Sequence, residues 1–284
     1  MLISENHMPA PAGWTLEVAG DAAAVAARGA RLVAEALAAV PVDRAAGPPS
    51  LCLSGGSTPR DLYRALRAAS IAAAGPDSDA GHFPAVPWDR VMIYFGDERF
   101  VAPGHPDANQ TMAREALLHG LPVPDDHVRA MVRRDPAEED EWGVAGDPAA
   151  AADDYHWQLR RDFRRAPGGL PAPDVTIMGV GTDGHTASLF PGGTAIAVTD
   201  RYAVAANNGP PPFERRVTLT APVFIASALV IVVATGVEKA GPVRDAWTLP
   251  PAPRARPLQL LAARTAPTIW LCDHAAAAGL VSPP

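Results

Sequence analysis

Residues 179–191 hold a histidine in a setting that suits acid–base chemistry. Their sequence is GVGTDGHTASLFP, in which His185 follows a glycine-rich turn and Asp183 stands two residues before it. Imidazole exchanges a proton readily near neutral pH, and a neighbouring carboxylate orients the ring or raises its basicity. A lone histidine is more often structural, but this spacing favours His185 as a general base that Asp183 supports.

A second segment, SGGSTP at residues 54–59, is typical of an anion site. It stands between an apolar stretch and a helical one, where backbone N–H groups and hydroxyls gather at a helix N-terminus. The segment lacks the Gly-Lys-Ser/Thr of a nucleotide P-loop and the spacing of a dinucleotide fingerprint. It therefore indicates a monophosphate site formed by Gly55, Gly56, Ser57 and Thr58, although an ordinary capped turn has the same composition.

Charged residues in three further segments could complete a site for an anionic ligand. Asp97 and Arg99 belong to GDER, where a carboxylate pair beside an arginine positions a polar ligand or forms a surface ion-pair cluster. Arg216 in RRVTLT and Lys239 in GVEKA add cations from later in the chain, or else form a solvated basic edge. Lys239 is the one lysine among 24 basic residues, so either the chemistry requires a lysine at this position or it was retained by chance.

Composition and charge exclude several classes of protein. The 284 residues, 48% of them hydrophobic, suffice for one large domain or two small ones with a full core. The net charge of −7 argues against nucleic acids and anionic membranes as partners, so an anionic ligand needs a local group of cations. No apolar run reaches the roughly 18 residues of a membrane helix.

The cysteines and the N-terminal residues bear on location. Cys52 and Cys272 each stand in an apolar run, which predicts two buried free thiols and no disulfide. Residues 1–12 lack the basic start and apolar stretch of a secretory signal. We expect them to form a disordered tail ahead of a single domain over residues 13–284, and we expect the protein to be cytoplasmic.

Apolar periodicity predicts strands and helices that alternate along the chain. Strands are expected over residues 50–54, 90–95, 128–132, 174–178, 202–206, 216–220, 229–234 and 268–272. Helices are expected over residues 21–40, 58–69, 109–118 and 148–165, from Lys239 onward and briefly after Cys272. Thr58 is expected to cap its helix with Asp61 closing a capping box, and residues 70–87 and 133–147 are expected to be loops. Such alternation predicts an α/β fold around a mostly parallel sheet.

Glycines connect this organisation to function. Gly55-Gly56, Gly96, residues 179–184 and Gly236 all follow predicted strands. The carboxyl ends of parallel strands meet at one edge, where ligands bind in open sheets. Because glycine lets the backbone approach a ligand closely, four such clusters indicate a binding edge.

Five motifs, in this order, resemble those of 6-phosphogluconolactonases. They are LSGGSTPRDLY, FGDERFV, GVGTDGHTASLFPG, RRVTLT and GVEKAG, and the resemblance extends over nearly the whole chain. The related glucosamine-6-phosphate isomerases share the fold and weaker forms of the motifs. In one departure, the Ser-Asn that usually follows the Asp-Glu-Arg motif reads Ala108-Asn109 here, which keeps the amide and loses a hydroxyl.

The resemblance implies a doubly wound α/β fold, with a mostly parallel sheet flanked by helices, and no metal or organic cofactor. The partner it implies is a small-molecule sugar-phosphate lactone. By motif match His185 activates water with support from Asp183, and Asp97 and Arg99 belong to the substrate pocket. The implied phosphate site comprises Gly55, Gly56, Ser57, Thr58, Arg216 and Lys239.

The favoured function is hydrolysis of 6-phospho-D-glucono-1,5-lactone to 6-phosphogluconate, in the oxidative branch of the pentose phosphate pathway. Two alternatives stay open: a glucosamine-6-phosphate isomerase or deaminase, and a non-catalytic sugar-phosphate sensor. In the isomerases a glutamate that assists ring opening stands five residues after the histidine, whereas this chain has Phe190 there. A sensor of the transcriptional type would need a helix-turn-helix segment and a basic face, which an acidic chain does not offer. The sequence leaves the oligomeric state open.

Overall fold

The computed structural model describes residues 10–41, 44–75, 83–133, 147–163 and 170–281. Most of the expected tail over residues 1–12 and almost all of the charged loop over 133–147 lie outside these ranges, as does part of the loop over 70–87. The described part of the chain contains nine strands and six α-helices, whose bounds follow.

The strands form two sheets. In chain order they are β1 (Trp14–Ala19), β2 (Ser50–Leu53), β3 (Met92–Phe95), β4 (Asp97–Arg99), β5 (Val175–Gly179), β6 (Ala203–Ala206), β7 (Arg216–Leu219), β8 (Leu229–Ala234) and β9 (Thr268–Asp273). Six of them make a fully parallel sheet in the order β1-β9-β8-β5-β2-β3. The other three make a small antiparallel sheet in the order β4-β7-β6. The doubly wound, mostly parallel α/β fold is therefore confirmed.

The helices are α1 (Ala22–Ala38), α2 (Ser57–Ala73), α3 (Asn109–Ala113), α4 (Pro148–Asp162), α5 (Ala221–Ala226) and α6 (Ala240–Thr248). A π-helical turn, Arg114–Leu118, prolongs α3. Two helices begin at an aspartate cap: the Asp21 carboxylate accepts from Ala24 N at 2.8 Å, and the Asp147 carboxylate accepts from Ala150 N at 2.8 Å.

The central strands of the parallel sheet are buried on both faces, since helices cover them, whereas the edge strand β1 is partly exposed. Leu51, Ile93, Val175 and Ile231 are at most 1% exposed, although they belong to four different strands. Such strands have continuous apolar sequences, which is why apolar runs alone locate them. Cys52 and Cys272 are buried free thiols, as expected. The single domain over residues 13–284 stays a prediction.

Three local predictions are wrong, and the strands β1 and β4 lie outside the predicted elements. Residues 128–132 form no strand; Val128 makes one isolated bridge to Ile93 before the chain turns away with Arg129 bound to Asp162. The second helix does not end at residue 69 but continues to Ala73. Residues 97–99 form the strand β4 because they pair with β7. Residues after Cys272 form turns instead of a helix, since the Asp273 carboxylate accepts from Ala276 N at 2.7 Å.

Candidate active site

A cleft of about 260 Å³ lies at the carboxyl edge of the parallel sheet. The glycine clusters follow β8, β5, β2 and β3, which are four neighbouring strands, and two of the clusters, after β2 and β5, line the cleft. The chain passes from β2 to β3 on one side and returns to β5 on the other, so the cleft lies where the strand order reverses. That is the expected position for a ligand in a doubly wound sheet.

The N-terminus of α2 opens into this cleft without a side-chain cap. Gly56 is the capping residue, at φ +105°, and no side chain bonds the first turn. The predicted cap is wrong: the Thr58 hydroxyl bonds the Thr235 hydroxyl at 2.8 Å, and Asp61 pairs with Arg64. The N–H groups of the first helical turn have no partner within the helix, and they carry the positive end of its dipole. This arrangement favours a bound anion.

His185 and Asp183 form a hydrogen-bonded pair on the opposite wall. The Asp183 Oδ1 atom lies 2.5 Å from His185 Nδ1 and 3.0 Å from the His185 backbone nitrogen. Burial would raise the pKa of Asp183, but hydrogen bonds and charge from His185 outweigh it and lower that pKa. A carboxylate only accepts, so Nδ1 carries the proton and Nε2 holds the free lone pair. His185 lines the cleft, whereas Asp183 does not.

Two glycines shape the turn that carries this pair. Gly184 has φ +85°, a conformation that other residues rarely adopt, and its N–H donates to Gly181 O at 3.0 Å. A Cβ atom on Gly181 would lie 2.1 Å from His185 Nδ1 and 2.7 Å from Asp183 Oδ1. The imidazole and its carboxylate can therefore pack only against a glycine.

Asp97 is a buried carboxylate with both oxygens engaged. Ser188 Oγ donates to Oδ2 at 2.6 Å, and Asn109 Nδ2 donates to Oδ1 at 3.1 Å. The Arg216 Nη1 atom lies 3.7 Å from Oδ2. Asp97 is therefore held in place and balances part of the charge of Arg216.

The neighbouring Glu98 turns away from the cleft and fastens the start of α3. Its carboxylate accepts from the backbone nitrogens of Arg99, Asn109 and Gln110 at 2.7–2.8 Å. Burial raises the pKa of Glu98 to about 7, against the opposing effect of these three bonds. Only one of the two carboxylates in the GDER motif thus faces the site.

Three cations reach the cleft from different elements. Arg216 on β7 is 6% exposed, donates from Nε to Phe213 O at 2.9 Å, and has its pKa lowered by burial. Arg99 on β4 donates from Nη1 to Asp107 O at 2.6 Å, and its buried Nε has no partner among the described residues. Lys239 precedes α6 and makes no ion pair within the described part of the chain. In an acidic protein, these side chains provide a local site for an anion.

The structure brings nine of the ten sequence-predicted site residues to one cleft; Asp183 stands behind its wall, and the roles of all ten stay predictions. Sequence reasoning missed Ser188, Phe190 and the full part that Asn109 plays. The amide of Asn109 lies against Gly55, where a Cβ would meet its Oδ1 at 2.1 Å, and this oxygen is buried without a partner in the described structure. The sequence signal that could have identified Asn109 was its place shortly after the GDER motif.

No group of three or more His, Cys, Asp or Glu side chains suited to a metal ion occurs among the described residues. The ten predicted residues also included no metal ligand.

Comparison with known proteins places this site in a family. A relative from Nostoc sp. named 6-phosphogluconolactonase is 35% identical over 269 residues, covering 94% of this chain and 98% of its own. One of the same name from Rattus norvegicus is 36% identical, covering 95% of each. The structure titled 6-phosphogluconolactonase from Trypanosoma cruzi is 26% identical with a TM-score of 0.77, covering 98% of this chain and 100% of that one. Through a match over residues 20–270, the chain belongs to the family of glucosamine-6-phosphate isomerases and 6-phosphogluconolactonases.

Proposed function

We propose that this protein is a 6-phosphogluconolactonase, which hydrolyses 6-phospho-D-glucono-1,5-lactone to 6-phosphogluconate. One observation carries the proposal: a histidine with Nδ1 bound to Asp183 at 2.5 Å faces a cleft otherwise lined by cations and an uncapped helix terminus. A base and an anion site within one small cleft fit a substrate with a reactive carbonyl at one end and a phosphate at the other. The names of the 35% and 36% identical relatives support the same activity.

Substrate binding would use the phosphate, which carries about −1.5 to −2 charges at neutral pH. Arg216, Lys239 and the N–H groups at the start of α2 would hold it by charge-assisted hydrogen bonds. This contact fixes the lactone carbonyl relative to His185, and such orientation supplies much of the rate gain in a two-component reaction.

The chemistry would begin with a water molecule beside His185. As the water oxygen attacks the lactone carbonyl carbon, Nε2 takes one of its protons and the carbonyl oxygen becomes an oxyanion. N–H groups of the Gly55-Gly56 loop or the Arg99 guanidinium are the donors we expect to stabilise that oxyanion. When the tetrahedral species collapses, the bond to the ring oxygen breaks and this oxygen receives the proton from Nε2. Asp183 keeps the imidazole in the required tautomer throughout.

The second candidate, a glucosamine-6-phosphate isomerase or deaminase, is weakened by two observations. Asp97, the carboxylate that could serve as an enolisation base, accepts hydrogen bonds from Ser188 and Asn109 and lies 3.7 Å from Arg216, an arrangement that suits a positioning role. Phe190 stands where the isomerases have a glutamate, and it has no group that transfers a proton. We expect no measurable release of ammonia from glucosamine-6-phosphate. Ammonia release by the pure protein at a rate comparable to lactone hydrolysis would reverse the assignment.

The direct test is hydrolysis of freshly prepared 6-phosphogluconolactone, coupled to oxidation of the product and corrected for spontaneous ring opening. The His185→Ala variant should fold normally and lose roughly 10²–10⁴-fold in kcat, the usual share of a general base. His119→Ala, at an exposed histidine outside the cleft, is the matched control and should keep full activity. Full activity in His185→Ala would remove this residue from the mechanism. Binding of the sugar phosphate without any hydrolysis would instead indicate a sensor.

For the setting of the protein, no helix in the described ranges is long and apolar enough to cross a membrane. We further propose a cytoplasmic location without a nucleic-acid partner, which the net charge of −7 and the two free thiols support. Recovery of the activity in the cytosolic fraction of cells, with no retention on immobilised DNA, is the expected result.

A further inference from the structure

Phe190 contacts both the proposed base and one of the cations. Its ring centroid lies 4.6 Å from that of His185, with the two planes inclined at 41°. The Arg216 guanidinium carbon lies over the same ring, 5.5 Å from its centroid. Phe190 is 6% exposed and is absent from the cleft lining, so it stands behind the two side chains and does not meet the substrate.

The two side chains that meet on this ring are each also held by a hydrogen bond and by packing on a glycine. His185 is tied at Nδ1 to Asp183 and packs on Gly181, and Arg216 packs on Gly209. Arg216 is tied at Nε to Phe213 O, and its nearest carboxylate atom, on Asp97, is 3.7 Å away. The flat face of Phe190 is the surface that these two side chains share, so it relates the tilt of the imidazole to the height of the guanidinium.

An aromatic face also has an electrostatic effect on such groups. Its negative quadrupole attracts a cation, more strongly where water is excluded. Arg216 is a cation throughout, and His185 becomes one while it holds the proton taken from water. The ring therefore stabilises both charges.

We propose that Phe190 is a positioning residue that sets the geometry between His185 and Arg216 and so couples occupation of the phosphate subsite to the reactivity of the base. This inference rests on the proposed function. When the substrate phosphate binds Arg216, it holds the guanidinium against the ring of Phe190. The ring in turn holds the imidazole beside the lactone carbonyl. A bound phosphate then raises kcat as well as affinity.

The test compares Phe190→Leu, which removes the flat ring, with Phe190→Tyr, which keeps it. We expect kcat for the phosphorylated lactone to fall roughly 10- to 100-fold in Phe190→Leu, the scale of a displacement of about 1 Å, with little change in KM. Phe190→Tyr should retain most of the wild-type kcat. The ratio of kcat for the phosphorylated over the unphosphorylated lactone should exceed one in the wild type and approach one in Phe190→Leu.

Phe163→Leu is the matched control for lost packing. Phe163 is 7% exposed and its ring lies 5.1 Å from that of Tyr94, outside the cleft lining. It should lower the thermal midpoint about as much as Phe190→Leu without changing kcat per folded molecule. Phe190→Met, which keeps volume without a ring, replaces Phe190→Leu if that variant does not fold.

The outcomes separate the two proposals. A wild-type protein without lactonase activity, or a fully active His185→Ala variant, would refute the proposed function. An active wild type in which Phe190→Leu changes only stability, only KM, or kcat no more than Phe163→Leu does would overturn the role of Phe190 alone.

Discussion

Gly181→Ala is the substitution that tests the base geometry without removing any functional group. The added methyl would lie 2.1 Å from His185 Nδ1 and 2.7 Å from Asp183 Oδ1. Gly181 is not in the left-handed region, so alanine adopts its backbone conformation without strain. The substitution therefore acts through the contact with the imidazole and not through the turn.

The size of the effect follows from these distances. Ordinary contact begins near 3.4 Å, so the imidazole must retreat by about 1.3 Å from a methyl at 2.1 Å. A misplacement of about 1 Å costs on the order of 10²-fold in rate, which is about 2.7 kcal/mol of transition-state stabilisation. We expect kcat to fall by at least this factor, and toward the value for His185→Ala if the bond to Asp183 is lost.

The assay is coupled lactone hydrolysis at saturating substrate, with thermal unfolding of the same samples. The control is Gly241→Ala at the start of α6, where an added methyl meets no atom within 4 Å. That control should keep wild-type kcat and unfold at the wild-type temperature or slightly above it. If Gly181→Ala turned over at the wild-type rate, the tight packing of His185 on residue 181 would not be a requirement of catalysis, and the reasoning above would be wrong.

Three further predictions concern the phosphate, a metal and stability. Lys239→Ala should raise KM for the phosphorylated lactone by roughly 10- to 100-fold, the value of one charge-assisted hydrogen bond, and leave KM for the unphosphorylated lactone nearly unchanged. Equal losses for both substrates would show that Lys239 does not contact the phosphate. Activity should survive exhaustive chelation, and loss that Zn²⁺ or Mg²⁺ restores would contradict this. Arg264 donates to the carbonyls of Phe224, Ile225 and Pro267 at 2.6–3.0 Å. Arg264→Leu should therefore lower the free energy of unfolding by roughly 3 kcal/mol in urea titrations and leave kcat unchanged. An unaltered midpoint of urea unfolding would mean that other donors replace the guanidinium.

Much of the fold could be predicted because its determinants are local. Apolar runs such as residues 229–234 reproduce the strand bounds, and glycines mark where those strands end. The strand β4 escaped this reasoning because Asp97–Arg99 has no apolar residue, and its extended form comes from pairing with β7, more than 100 residues away. The cap on α2 was misjudged for the same reason, since the Thr58 hydroxyl bonds Thr235, 177 positions away in the chain.

The residues of the candidate site also fall into two groups: those whose partners are close in the sequence, and those whose partners are distant. His185 and Asp183 could be identified because their bond joins residues two apart. Asn109 and Ser188 could not be assigned, because their partner is Asp97, 12 and 91 positions away. Hydrogen bonds between such distant residues depend on which loops the sheet brings together, and the periodicity of apolar residues does not reveal this.

The His185–Asp183 pair is formed within one short segment of chain, and this determines how a displacement elsewhere in the molecule affects it. One carboxylate oxygen accepts from both the ring and the backbone nitrogen of His185, so the pair is complete within a single turn of chain. Catalytic sets assembled from distant segments lose alignment whenever any of those segments shifts. Here a small slip of one strand carries base and carboxylate together and alters only their registry with the cations opposite. The hydrogen bond between base and carboxylate is thus self-contained, whereas the tilt of the imidazole still depends on its contact with Phe190.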